Sequence, residues 1–203
     1  MTIDARLMAP ATARNREPIT KVLRRHLPSR GLVLEVASGT GEHVTHFAGA
    51  LSTDLRFQPS DPDAGARASI DAWVESLRLG NVRPAIALDA SAEDWPIQNA
   101  DAVVCMIHIA PWEAAVGLVC GAARLLSEGG VLYLYGPYRC DGRHTSPSNE
   151  TFDRGLRMQN AKWGVRDLEN VVQLAEEHGF AQSLIEEMPA NNLSLIFHRA
   201  ASS

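Results

Sequence analysis

Val33-Leu34-Glu35-Val36-Ala37-Ser38-Gly39-Thr40-Gly41-Glu42-His43 passes from an apolar run of strand length, through a turn of small residues, into an amphipathic stretch. Small residues are needed in such a turn because the backbone must reverse sharply and let a ligand approach its amides. Outward from this segment, apolar runs predict further strands near 55–59, 83–88, 101–107 and 130–136, with helical periodicity over 42–51, 64–79, 112–127 and 165–178. That alternation is the signature of βα units and a parallel sheet covered by helices on both faces. The pattern changes after Gly179: Phe180 to Met188 and Leu193 to His198 are apolar runs separated only by Pro189-Ala190-Asn191-Asn192, so they predict an antiparallel hairpin. The sum is an α/β fold, a doubly wound seven-stranded sheet, mostly parallel with one antiparallel strand from the C-terminal hairpin.

With 203 residues the chain is expected to form a single domain over 1–203, since domains typically hold roughly 100 to 200 residues. Within it, 1–30 reads as an N-terminal cap segment and helix, the helix starting near Glu17-Pro18. The polar stretch Cys140 to Trp163 reads as a lid or substrate loop, because loops of that length are usually functional. The net charge of -5 disfavours a nucleic-acid partner, whose phosphates are held by Lys and Arg, and points to a small-molecule substrate. Cys105, Cys120 and Cys140 form no C-x-x-C pair, so neither a disulfide framework nor a metal site is expected. No basic-then-apolar leader and no membrane-spanning apolar run is seen, so a cytoplasmic location without membrane partners is expected. The sequence leaves the oligomeric state open.

Two acids lie at the ends of successive strands. Asp61 follows the second strand, where a carboxylate accepts hydrogen bonds from ribose hydroxyls; it is equally suited to cap a helix beginning near Pro62. Asp89 ends the third, placed for an adenine amino group or as another cap. A dinucleotide fingerprint, G-x-G-x-x-G, fails at Val44, and Glu42 at the helix start would oppose a pyrophosphate. A glycine turn without any ligand is the other reading of the loop.

The glycine loop, read as Glu35-x-Ala37-x-Gly39-x-Gly41, departs from the methyltransferase pattern acidic-x-Gly-x-Gly-x-Gly only at Ala37, which would be strained if that position needs positive φ. With Arg14-Asn15-Arg16-Glu17-Pro18-Ile19, Met106-Ile107-His108-Ile109-Ala110-Pro111-Trp112, Gly136-Pro137-Tyr138, Ser148-Asn149, Phe152-Asp153 and Trp163-Gly164-Val165-Arg166-Asp167, the chain resembles the class I, Rossmann-like S-adenosylmethionine-dependent methyltransferases over nearly its whole length. More narrowly it resembles a family of small methyltransferase-like proteins long described as a domain of unknown function. The resemblance implies S-adenosylmethionine as cofactor and S-adenosylhomocysteine as product. It places the cofactor over Glu35, Ala37, Ser38, Gly39 and Gly41, with Asp61-Pro62 at the ribose, Asp89-Ala90 at the adenine and Met106-Ile107 beside it. Asn15 and Arg16 would close over it, the guanidinium reaching a carboxylate. The sulfonium and ammonium of this cofactor favour a neighbouring carboxylate such as Glu35.

Methyl transfer is an in-line displacement, so the protein supplies orientation, desolvation and, for a protonated nucleophile, a base. His108 is the leading base because imidazole titrates near neutral pH, with a structural histidine as the alternative. Tyr138 and Asp153 are the other catalytic candidates, and Trp112, Asn149 and Trp163 the substrate contacts; the alternatives are core or turn anchoring for Tyr138, packing for Trp112, and a solvated helix face for Asn149 and Asp153, which stand at i and i+4 if a short helix begins at Ser148. The function implied is methyl transfer to a small molecule; the alternative is a non-catalytic cofactor-binding or scaffold protein that keeps the fold.

Overall fold

The computed structural model describes residues 4–106 and 109–201, apart from the side chains at 182 and 183. Helix α1 (Thr12–His26) precedes β1 (Gly31–Val36), α2 (Glu42–Ala50), β2 (Leu55–Ser60), α3 (Ala64–Leu77), β3 (Ala100–Cys105), α4 (Trp112–Leu125) and β4 (Leu126–Gly136). There follow β5 (Tyr138–Cys140), β6 (Arg143–His144), α5 (Pro147–Gln159), β7 (Arg166–Asp167), α6 (Leu168–Glu177), β8 (Phe180–Met188) and β9 (Asn192–Arg199).

The main sheet has the order β2-β1-β3-β4-β9-β8. β1 pairs in parallel with β2 and β3, and β9 runs antiparallel to both β4 and β8. The expected strand over 83–88 joins the outer edge of β2 through two parallel bridges, Phe57 to Val82 and Ser60 to Ile86, and so forms the seventh position of the sheet. Pro59 in β2 and Pro84 between the two bridges have no N–H to donate to a longer ladder. The terminal hairpin forms as the apolar runs predict, turned by the short helical segment Pro189–Asn191.

Alternation along each strand sorts the core into two layers. Leu34, Val36, Val103, Leu132, Leu134 and Phe197 pack under α4 and α6. Val33, Phe57, Val104, Tyr133 and Ile196 pack under α1, α2 and α3. Glu35 shares the second face with Val33, and is thereby buried.

Two helices depart from expectation. α1 starts at Thr12 and carries Pro18 inside it, not at its first turn. Burial of Ile19, Val22 and Leu23 against α2 and the sheet offsets the cost of the missing hydrogen bond. Most of the expected 140–163 loop is also ordered structure: Ser146 caps α5 by accepting from the Asn149 amide at 3.2 Å, and a small sheet, β6-β5-β7, flanks it. Among the described residues no helix is long and apolar enough to cross a membrane.

Candidate functional site

The topology puts a crevice at the carboxyl ends of the strands, where β1 sends the chain to β2 on one side and β3 continues on the other. A cavity of about 500 Å³ occupies it, within the range of small-molecule sites. Its floor is Val36 at the end of β1 and Ala37 just after it, with Pro62, Asp89 and Ala90 beyond β2 and the third strand segment. Ile109 to Pro111, at the start of α4, and Trp163 close the other side.

The loop from β1 to α2 takes positive φ at Ala37 (57°), Gly39 (56°) and Gly41 (88°). Ala37 therefore sits in the left-handed region that alanine disfavours by roughly 1 to 2 kcal/mol. The two glycines are required for different reasons. A Cβ at Gly41 would lie 2.8 Å from the Cα of Ile70 in α3, whereas a Cβ at Gly39 would meet nothing within 4 Å. Gly41 lets two helices pack, whereas the space beside Gly39 is open.

Below the loop, Glu35 is 3% exposed and neither carboxyl oxygen has a hydrogen-bond partner. Burial pushes its carboxyl up to about 8; the nearby Ser38 hydroxyl pulls the other way, and the negative charge of Asp61 adds to the rise. A buried carboxyl so strongly shifted, at the end of β1 beneath this loop, marks a candidate site residue. Ser38 braces the turn by donating from its hydroxyl to the Glu35 carbonyl at 3.2 Å. Asp61 accepts from the Gly39 amide at 2.9 Å and from the Asp63 amide at 3.0 Å, locking the loop to the end of β2. It is not the helix cap: Asp63 takes that role for α3 by accepting from the Ala66 amide at 2.8 Å. Asp89 accepts from the amide and hydroxyl of Ser91 at 2.9 and 2.7 Å, which holds its carboxyl below the usual range.

On the opposite side of the loop, Asn15 reaches from α1 to His43 at 2.8 Å. Burial first, then His46 and Arg16, depress the His43 imidazole to about 4, so it is neutral at pH 7 and its Nε2–H donates to Asn15. The Arg16 Nε is buried without a partner, a donor left open beside the loop. Tyr135, at the end of β4, accepts from Asn192 at 3.0 Å within the same polar patch. His43, Tyr135 and Asn192 escaped the sequence reading, although Tyr135 ends a recognisable strand. Chain preceding α1 also crosses here: the Ala9 amide donates to Glu42 at 2.5 Å, and the Leu7 carbonyl accepts from Trp73 at 2.9 Å.

The reaction-face candidates separate. His108 and Ile107 lie outside the described residues; Met106 packs against the α1 side of the sheet. Trp163 lines the cavity, while Trp112 lies behind it, 5.8 Å from the Arg166 guanidinium. Tyr138 is buried in the core with an unpartnered hydroxyl, its phenol raised by burial. Asn149 ties α5 to the hairpin turn, donating to Thr145 and to the Asn191 carbonyl, both at 2.9 Å. Asp153 accepts from the Val165 amide at 2.7 Å and pairs with Arg157 at 3.0 Å, with His144 at 3.4 Å. The structure thus gathers Ala37, Pro62, Asp89, Ala90 and Trp163 around one cavity and uses Asn149 and Asp153 to fasten the segment above it.

Solved structures share this architecture. An O-methyltransferase family protein from Burkholderia thailandensis superposes with a TM-score of 0.80 at 18% identity, over 95% of this chain and 58% of that one. Human N-acetylserotonin methyltransferase, in complex with SAM, gives 0.74 at 12% identity over 94% of this chain and 53% of that one. A putative methyltransferase from Bacillus halodurans gives 0.70 at 14%, over 93% of this chain and 100% of that one. The chain spans little more than half the length of the first two, and at these identities the likeness shows the fold, that of the Rossmann-like methyltransferases. A family profile matches residues 6–199, and the chain therefore belongs to the family described as "Protein of unknown function (DUF938)".

Proposed function

We propose that this chain binds S-adenosylmethionine in the crevice above β1 and transfers its methyl group to a small-molecule acceptor. One observation carries the reading: a buried carboxyl with no partner, Glu35, lies under a glycine loop whose outer side is open, at the switch point of the sheet. A cofactor with an ammonium and a sulfonium matches that carboxyl, and the buried Nε of Arg16 matches the cofactor's carboxylate.

In this assignment Ala37, Ser38, Gly39 and Gly41 shape the loop against the amino-acid portion, with Asn15 and Arg16 closing from α1. Asp61 and Pro62 meet the ribose: each Asp61 oxygen accepts one protein hydrogen bond and keeps a lone pair for a hydroxyl. Asp89 and Ala90 meet the adenine in the cavity; Met106 and Ile107 are assigned to the same cofactor from the resemblance of the sequence alone. When bound, the cofactor supplies a methyl carbon already activated by the sulfonium. The chain's own part is to orient the acceptor between Trp163 and Trp112, exclude water, and remove a proton where the acceptor carries one. His108 is assigned that proton. Asp153 and Asn149 hold the covering segment in place, and Tyr138 stays a neutral phenol beneath it.

Isothermal titration with S-adenosylmethionine, S-adenosylhomocysteine and NAD tests the reading. Micromolar binding of both adenosyl ligands and none of NAD is expected. Absence of adenosyl-ligand binding would overturn it, and binding without methyl consumption on metabolite mixtures would favour a scaffold.

A further inference from the structure

Behind Trp112 lies a second, smaller cavity of about 260 Å³ whose chemistry differs from that of the first. Three guanidinium groups, Arg139, Arg157 and Arg166, line it, with Asp167 as the one carboxylate among the lining residues. They arrive from separate elements, β5, α5 and β7, and so are brought together only by the fold. Arg139 pairs with Asp167 at 2.5 Å and Arg157 with Asp153 at 3.0 Å. Arg166 has no carboxylate within ion-pair distance among the described residues; it donates to the carbonyls of Ala110 and Lys162. Among the lining residues three guanidinium groups thus face the single carboxylate of Asp167, one oxygen of which is buried without a partner, while Asp153 and Glu113 act on the cluster from outside the lining.

The donors are not used up. The Nε of Arg139 and the Nε of Arg166 are both buried without an acceptor, and leaving a buried charged donor unpaired is costly. Burial, and then the neighbouring Arg157, pull Arg166 below the usual arginine range against the opposing charges of Asp153 and Glu113. The two cavities are also neighbours. Ala110, whose carbonyl receives the Arg166 hydrogen bond, lines the larger cavity, as does Lys162, and Trp112 lines the smaller one against Arg166.

We propose that this arginine-lined cavity is an oxyanion site that anchors a carboxylate or phosphate group of the methyl acceptor, with Arg166 and Arg139 as its principal donors. Guanidinium forks suit both groups because each presents paired oxygens to paired N–H donors. Such an anchor would orient an anionic acceptor across Trp112 toward the larger cavity. The assignment of the anion to an acceptor rests on the methyl-transfer reading; the anion site itself does not.

The test is titration of the full chain, without cofactor, with inorganic phosphate and separately with succinate, at constant ionic strength. Arg166→Gln and Arg139→Gln are titrated alongside, and folding of each variant is checked by its far-UV circular dichroism and its urea-unfolding midpoint. Saturable binding of at least one anion to the wild type, weakened roughly tenfold to hundredfold in both variants, is expected. The tighter of the two anions identifies the group as phosphate or carboxylate. Absence of saturable binding by either anion, or wild-type affinity in a folded variant, overturns the proposal. If anions fail while S-adenosylmethionine binds, only this site is lost; if the cofactor fails while anions bind, it is the methyl-transfer reading that falls.

Discussion

Glu35→Gln separates stability from binding in opposite directions. The Glu35 carboxyl, ordinarily near 4.5, is pushed up to about 8 by burial. Its pKa is therefore higher in the folded state than in the unfolded chain, and the folded state holds the extra proton. Stability from this group is fully present below pH 4.5 and is lost as pH rises through 8. At ~1.4 kcal/mol per pH unit the loss reaches about 5 kcal/mol for an ideally dry site, and relaxation of the loop lowers it. That is a large fraction of a typical domain's 5 to 15 kcal/mol. Glutamine keeps the shape and abolishes the titration. Urea unfolding of the ligand-free protein at pH 5, 6.5 and 8 should therefore show the wild type weakening relative to the variant as pH rises, by several kcal/mol. S-adenosylmethionine should bind the variant more weakly, because its cationic groups lose their carboxylate. Wild-type binding near pH 7 should release a proton, seen as a binding enthalpy that depends on the buffer. A stability difference between the two proteins that stays constant across this range would refute the claim that Glu35 is buried as a neutral acid.

Other substitutions sort the residues of the loop and the reaction face. Gly41→Ala should destabilise by about 2 to 4 kcal/mol, because its Cβ meets the Ile70 Cα at 2.8 Å and its φ is 88°; Gly39→Ala should cost about 1 kcal/mol, the conformational part alone. Equal losses for the two in denaturant would contradict the packing assigned to Gly41. Asp61→Ala should weaken cofactor binding by roughly 1 to 3 kcal/mol, measured by calorimetry. His108→Ala should leave that binding intact and lower turnover; retained turnover would make this histidine structural.

Much of the fold was legible because it follows from apolar periodicity. β1, β2, β3 and β4 and the terminal hairpin coincide with apolar runs, and α2, α3 and α4 with amphipathic ones, since burial on a two-sided sheet demands that pattern. α5 escaped it for a physical reason. Its buried residues are Asn149, Asp153 and Leu156, so the face turned inward is mostly polar and held by hydrogen bonds, to which a hydrophobic period is blind. The Ser146-Pro147 start was readable as a cap followed by Pro at the first helical position. The Pro18 start for α1 failed because tertiary burial of Ile19 and Leu23 outweighed a local rule.

The site divides along the same line. Chain order alone determined that Glu35, Gly39, Gly41, Asp61 and Asp89 lie at strand ends, because neighbouring residues in a βα unit stay neighbours in space. Only the tertiary structure decided that Glu35 has no partner, that Asp61 holds the Gly39 amide while Asp63 caps α3, and that Arg139, Arg157 and Arg166 converge. Partners from separate elements, and the water they exclude, are set by packing across the sheet, and burial sets the charge on an acid or the reach of an arginine as firmly as its place in the chain.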